Sequence, residues 1–328
     1  MTIIFHKVHG SGNTFYLHEE MPNIPYDWPL TAQKMCDPSN DNGADGLLII
    51  SQSTKADAKM RVYNADGSEA SMCGNGLRCV ARFVLTKLKQ TKATIETMKA
   101  VLSVQQVDPI FKSIDTYSVE ISPVSFELSS LPMMYDDNKR VMNSVIPEFA
   151  SDIRFTAVSV PNPHLIGIVP IQYIEESQFQ EQLATSFNIE NEYFPDGVNV
   201  SFVHPVDESS IFVRTFERGV GFTNACGTAM TASALVSATI NLVPFGDVTV
   251  YNPGGFVKCV IEQNGEHVHL SLIGNATFFA TYSGELSDDG EFLCNSIILH
   301  EHEIKEYKEL EHHSQLKIKD GWSRNENL

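Results

Sequence analysis

Two stretches of the chain share one pattern: alternating apolar and polar residues, a glycine-bearing polar loop, then apolar residues at helical spacing. In the first, Met60 and Val62 alternate with polar neighbours as in a strand, while Leu77, Val80, Ala81, Val84 and Leu85 recur at helical intervals, which predicts a helix starting at Cys73. In the second, an alternating run from Ile211 passes through a glycine-containing loop into Cys226-Gly227-Thr228, and small and apolar residues continue from there as a helix. Elsewhere the pattern predicts a short helix near 30–36, a buried strand at Leu47-Leu48-Ile49-Ile50 entered through Gly43-Ala44-Asp45-Gly46, and alternating strands over 94–106 and 116–122. Strand, turn and strand follow over 155–169, then an amphipathic helix over 173–186 and a strand from Val198 to Val203. Further strands are expected near 247–251, 256–262, 267–273 and 277–283.

Many short strands with few helices imply an α+β architecture of mainly antiparallel strands, not a doubly wound sheet. The repeated strand-loop-Cys-Gly-helix unit implies two similar, pseudo-symmetric domains whose helix starts face a shared cleft. The expected divisions are 1–127, 128–285 (its last strand free to return to the first domain) and a polar extension over 286–328. That tail, with His300, His302, His312 and His313 among glutamates, reads as a solvated, helical extension without a metal site.

With 328 residues and 42% hydrophobic content, the chain can bury a substantial core. No stretch is long and apolar enough to cross a bilayer, and MTIIFHKVHGSGN has no charged leader followed by an apolar segment, so a cytoplasmic protein is expected. A formal net charge of -18 argues against nucleic acid and acidic membrane surfaces as partners. The six cysteines are too sparse for a disulfide scaffold and form no CxxC pair, so structural zinc is not expected; Cys36, Cys79, Cys259 and Cys294 read as small buried hydrophobes. There is no GxGxxG or GxxxxGK[ST] motif to support a nucleotide fold.

Cys73 and Cys226 are different. A free thiol titrates near ~8.5, and a helix start contributes up to ~2 kcal/mol to an anion, enough to lower that value by roughly one unit. Glycines beside each thiol let backbone amides approach a carboxylate. Two such thiols allow one to take a proton from a carbon while the other delivers a proton to the opposite face. Other polar residues have two readings from sequence: Asn13 is a turn residue or a ligand contact, Glu217-Arg218 a surface ion pair or part of a pocket, and His164 a strand-end or a functional histidine.

In order along the chain, HGSGN at 9–13, GADGLLII at 43–50, NADGSEASMCGNGLRC at 64–79, PNPH at 161–164, GVNVSFV at 197–203, ERGVGFTNACGT at 217–228 and PGG at 253–255 resemble the diaminopimelate epimerases. The resemblance spans about residues 3–285. It implies a homodimeric, cofactor-independent isomerase of two pseudo-symmetric domains that inverts one α-carbon of a small amino-acid substrate, diaminopimelate, on the route to lysine and peptidoglycan. It implies Cys73 and Cys226 as the paired base and acid, and Gly74, Asn75, Gly227 and Thr228 as amides holding the α-carboxylate. Asn64, Asn162, Asn199 and Arg218 would bind the far end of the substrate, Asn13 would line the site, and Glu217 and His164 would lie near the reacting amino group and thiols. The chain departs from the family pattern at Thr14, where aspartate is usual, at Phe222, where glutamate is usual, and at Ala229, where glycine is usual.

Three alternatives follow from the same residues. A racemase of another amino acid, such as histidine, would use the same thiols; a cyclic imino acid is disfavoured because Met72-Cys73-Gly74-Asn75-Gly76 differs from the MCGHG of proline-racemase-like enzymes. A non-catalytic amino-acid binder would not need both thiols. A redox protein would usually carry its cysteines closer in sequence.

Overall fold

A computed structural model of the chain describes residues 2–21, 26–40, 42–136, 138–265 and 267–325. The chain divides into two compact units, Met1–Glu120 with Ile273–Leu310, and Ile121–Leu272 with Glu311–Leu328.

The first unit opens with β1 (Ile3–Gly10), β2 (Asn13–Glu19), α1 (Trp28–Met35), β3 (Gly46–Ser51), β4 (Ala58–Asn64) and the short β5 (Glu69–Ala70). Next come α2 (Gly74–Leu88), β6 (Lys92–Glu96), β7 (Val101–Val107) and β8 (Thr116–Glu120). β1 pairs antiparallel with β2, β2 parallel with β3, β3 antiparallel with β4, β4 parallel with β6, and β6 antiparallel with β7. The strands pack around α2, which touches β1, β2, β3, β4, β6, β7 and β8. Its buried face is Leu77, Val80, Ala81, Val84 and Leu85, the residues whose spacing predicts it.

The second unit repeats that order. After a 3₁₀ turn at Leu128–Ser130 come β9 (Ser144–Ile146), β10 (Ala150–Val160), β11 (Asn162–Ile168), α3 (Ile171–Glu175), α4 (Ser177–Phe187), β12 (Asn199–Asp207), β13 (Ser210–Glu217) and the short β14 (Gly221–Phe222). α5 (Gly227–Thr239), β15 (Gly246–Asn252), β16 (Gly255–Asn264) and β17 (His267–Asn275) complete the run. The pairings β10–β11, β11–β12, β12–β13, β13–β15 and β15–β16 are antiparallel, parallel, antiparallel, parallel and antiparallel, the same succession as in the first unit. α5 is buried from Gly227 through Ala238, which is why its small and apolar residues run all round the helix rather than along a stripe. Its polar members are accommodated locally, as where Thr231 Oγ1 donates to Gly227 O at 2.9 Å.

Three expectations need correction. The helix expected over 173–186 is two helices, α3 and α4, broken at Glu176, whose ψ of 89° is not helical. Cys294 is exposed rather than buried. The tail is not a solvated extension: after β18 (Thr277–Leu286), which pairs with β1, come β19 (Phe292–Leu299), paired with β18, and α6 (Glu301–Asn325). Tyr307, Leu310, Ser314 and Ile318 recur three and four residues apart along α6 and are all buried. In the first unit Tyr307 stacks edge-on against His9 at 4.2 Å; in the second, Ser314 Oγ donates to Gly255 O at 2.8 Å. Residues 326–328 of the tail lie outside the described residues.

Candidate active site

Each unit sets one thiol at the start of its central helix. Cys73 is the N-cap of α2 with φ −142° and ψ 111°, and Cys226 the N-cap of α5 with φ −115° and ψ 109°. Both residues are therefore extended and hand the chain to a glycine as the first helical residue. Gly74 and Asn75 in one unit, and Gly227 and Thr228 in the other, hold the first two helical positions, where N–H groups have no acceptor within the helix and carry the positive end of its dipole.

In the first unit Cys73 is half-buried, and its Sγ accepts from the Gly76 N–H at 3.3 Å. The thiol in turn donates to Asn13 Oδ1 at 3.8 Å, an oxygen that also accepts from Asn75 Nδ2 at 3.3 Å. At the other end of the same amide, Asn13 Nδ2 donates to Asp45 Oδ2 at 2.9 Å. That carboxylate oxygen further accepts from Thr14 N at 2.7 Å and Thr14 Oγ1 at 3.1 Å, so the departure at Thr14 supplies a donor where an aspartate would set two carboxylates against each other. Asn64 ends β4 and donates to Ser68 Oγ at 2.9 Å, in the turn leading to β5.

Behind this half-site the Gly10–Asn13 turn is bolted to α2. Arg78 is fully buried and donates to Ser11 Oγ and to Asn275 O, each at 3.0 Å. An added Cβ at Gly10 would lie 2.7 Å from that guanidinium and 2.8 Å from Asn75 O, so only glycine allows the approach. Burial, with the Arg78 charge adding to it, pushes His9 down to about 3, so its imidazole is neutral.

In the second unit Cys226 is 7% exposed, and its Sγ lies 3.6 Å from Thr228 Oγ1. Burial above all, then the charge and hydrogen bonding of Glu217, pushes the Cys226 thiol well above the ordinary range; the Ala229 N–H and Thr228 act the other way. Ala229, another departure, is thus a buried residue of the first helical turn whose backbone faces the sulfur. Glu217 also accepts a hydrogen bond from Thr223 Oγ1.

His164 and Asn199 sit side by side in the register of β11 and β12, and Asn199 Oδ1 accepts from the Arg218 N–H at 2.9 Å. Burial pushes His164 down to about 3; the Arg218 charge adds to the fall and a backbone contact to Val160 opposes it. The Arg218 side chain is exposed and donates to Asp196 O. Gly197 makes room for it: φ there is +70°, and an added Cβ would lie 2.8 Å from Arg218 Cδ. Asn162 opens β11 opposite Val160. Phe222 stands T-shaped against Phe216 at 5.2 Å, with the Arg214 guanidinium 5.2 Å over its ring, so this departure replaces a polar group by aromatic and cation–π contacts.

The sequence-predicted residues therefore fall into two sets, Asn13, Asn64, Cys73, Gly74 and Asn75 in the first unit, and Asn162, His164, Asn199, Glu217, Arg218, Cys226, Gly227 and Thr228 in the second. Asp45 and Arg78 were missed. The signal for Asp45 was present in Gly43-Ala44-Asp45-Gly46, read only as the entry to a strand. Among the described residues no group of three or more His, Cys, Asp or Glu could hold a metal ion, and no helix is long and apolar enough to cross a membrane.

The family model for diaminopimelate epimerase matches residues 5–113 and 156–279. A diaminopimelate epimerase of Listeria welshimeri is 49% identical over 322 residues, covering 94% of this chain and 96% of the relative; one of Enterococcus faecalis is 44% identical over 301 residues, covering 88% and 91%. Among solved structures, a PhzF-family phenazine biosynthesis protein of Bacillus anthracis matches with a TM-score of 0.63 at 14% identity, covering 87% of this chain and all of the other. A hydroxyproline epimerase of Agrobacterium vitis, with trans-4-hydroxy-L-proline bound, matches with a TM-score of 0.59 at 15% identity, covering 89% and 94%. At such low identity these two structures speak for the α+β fold. The two cysteine-capped helices, the family model and relatives matched over nearly their full length lead to one assignment: the chain belongs to the diaminopimelate epimerase family.

Proposed function

We propose that this protein interconverts LL- and meso-diaminopimelate by a two-base proton transfer in which Cys73 and Cys226 serve opposite faces of one α-carbon. The observation that carries the reading is the pair of thiols, each capping the central helix of a repeated unit, in a chain whose relatives are diaminopimelate epimerases.

The chemistry has a specific difficulty. An α-proton beside an ammonium and a carboxylate is a very weak acid, and without pyridoxal phosphate as an electron sink the charge left on carbon must be stabilised by the protein. Amides at the two helix starts, from Gly74, Asn75, Gly227 and Thr228, are suited to hold the α-carboxylate and concentrate positive dipole where that charge develops. In one direction a Cys73 thiolate takes the α-proton, breaking C–H and forming S–H, while the Cys226 thiol gives its proton to the other face and becomes a thiolate. The reverse direction exchanges these roles. The raised Cys226 thiol fits the proton donor, and the pair titrates as a coupled unit. Arg218, Asn64, Asn162 and Asn199 are read as holding the distal ammonium and carboxylate, with neutral His164 and Glu217 supporting Cys226.

The reading extends to the cytoplasm, where thiols stay reduced, and to a homodimer. Support for the dimer comes from β19, an uncharged strand on which Leu293, Ile297, Ile298 and Leu299 are all exposed. Incubation of the purified protein with LL-diaminopimelate in deuterated water, without pyridoxal phosphate, should yield the meso isomer with deuterium at the α-carbon. Absence of both, or faster turnover of histidine than of diaminopimelate, would defeat the substrate assignment.

A further inference from the structure

We infer that Asp45 is a positioning residue that fixes the side-chain amide of Asn13 so that its carbonyl oxygen faces the Cys73 thiol. The inference rests on Cys73 acting in proton transfer, as read above. An asparagine amide is nearly symmetric in shape, and only its partners decide which end faces where. The deciding partner is the carboxylate: Asp45 Oδ2, which can only accept, stands 2.9 Å from Asn13 Nδ2 and so turns Asn13 Oδ1 toward the Cys73 thiol at 3.8 Å, with Asn75 Nδ2 3.3 Å from the same oxygen.

Asp45 is itself held. Its Oδ2 takes both hydrogen bonds from Thr14, and its own N–H donates to Thr14 O at 3.0 Å, so the 43–46 loop and the start of β2 clasp each other from both sides. The chemical consequence lies at the sulfur. With Oδ1 facing it, Asn13 accepts from S–H and favours the protonated thiol; with the amide reversed, N–H would face the sulfur and favour the thiolate. The Gly76 N–H already favours the thiolate from the helix side. Asp45 therefore holds Cys73 in balance between an acceptor and a donor, which suits a sulfur that must gain a proton in one direction of the reaction and release it in the other.

The test is the pH dependence of iodoacetamide alkylation at Cys73, read by peptide mass spectrometry on the full-length protein. Asp45→Ala lets the amide turn, and the alkylation midpoint should fall by about one unit, the size of effect one hydrogen bond supplies. Asp45→Asn keeps one oxygen able to receive the three donors now converging on Oδ2, and its midpoint should stay within about 0.3 units of wild type although the charge is gone. Equal shifts in the two variants would assign the effect to charge and overturn the inference. So would a lowered Tm in Asp45→Ala with an unmoved midpoint. Should Asp45→Ala fail to fold, Thr14→Val removes one of the three donors: a smaller downward shift supports the inference and none overturns it. Alkylation requires no turnover, so a protein inactive on diaminopimelate that still shows the Asp45→Ala shift would lose the proposed substrate and keep this inference.

Discussion

The two half-sites share a backbone and differ in everything around the sulfur. Cys73 is half-buried, takes a backbone N–H from Gly76 and offers its proton to a polar side chain, Asn13. Cys226 is buried beside a carboxylate, and both burial and Glu217 hold its proton on. One helix-start geometry thus serves a half-buried sulfur set between a backbone donor and a side-chain acceptor, and a buried sulfur biased to the thiol. The lesson is that the dipole of a helix start, worth about one and a half units at most, does not by itself set a thiol's protonation; desolvation and a neighbouring charge decide the sign.

The largest expected effect breaks the comparison outright. Cys73→Ala or Cys226→Ala should each lower the epimerisation rate by about 10³-fold or more, since each removes a group proposed to move a proton. Loss of comparable size from both, measured as the rate of formation of the second isomer, is the expected outcome. A single variant retaining most of the rate would mean that one thiol suffices.

Glu217→Gln sharpens the difference next. Removing the negative charge makes the Cys226 thiolate easier to form, so its alkylation midpoint should fall. It should still lie above the ordinary thiol value, because burial is the larger cause. Turnover should fall about 10- to 100-fold. An unchanged midpoint would remove Glu217 from the account of why the two sulfurs differ.

Gly197→Ala addresses the proposed substrate end of the second half-site. The residue has φ +70°, and its new Cβ would lie 2.5 Å from Asn188 Oδ1 and 2.8 Å from Arg218 Cδ; displacing the Arg218 side chain should raise KM for diaminopimelate about tenfold with a smaller change in kcat. A change in kcat alone would argue against Arg218 as a binding group. The smallest effect is expected at Phe222→Ala, which loses the Phe216 and Arg214 contacts: about 1 kcal/mol or less in thermal unfolding, with kcat/KM within about threefold.

Much of this was legible in the sequence because it is local. A cysteine before Gly-Asn-Gly or Gly-Thr, with an apolar stripe beginning four residues on, can be read as a helix start from a few neighbouring residues. The hidden parts depend on contacts distant in sequence. Asp45 matters because it meets Asn13 and Thr14 some thirty residues away, and Arg78 because the same guanidinium reaches both Ser11 and Asn275. The tail shows a different failure: its charged residues drew attention from Tyr307, Leu310, Ser314 and Ile318, a sparse stripe that a strongly polar background hides. Cys294 was assigned by residue type alone, and a strand left exposed along its length defeats that rule.

The most direct test of the two-base account is the isotope content of both isomers at low conversion of LL-diaminopimelate in deuterated water. If separate sulfurs remove and deliver the proton, newly formed meso product carries one deuterium at the inverted carbon while unreacted LL substrate stays unlabelled. Deuterium entering the unreacted substrate as fast as the product, or inversion that retains the original hydrogen, would contradict it.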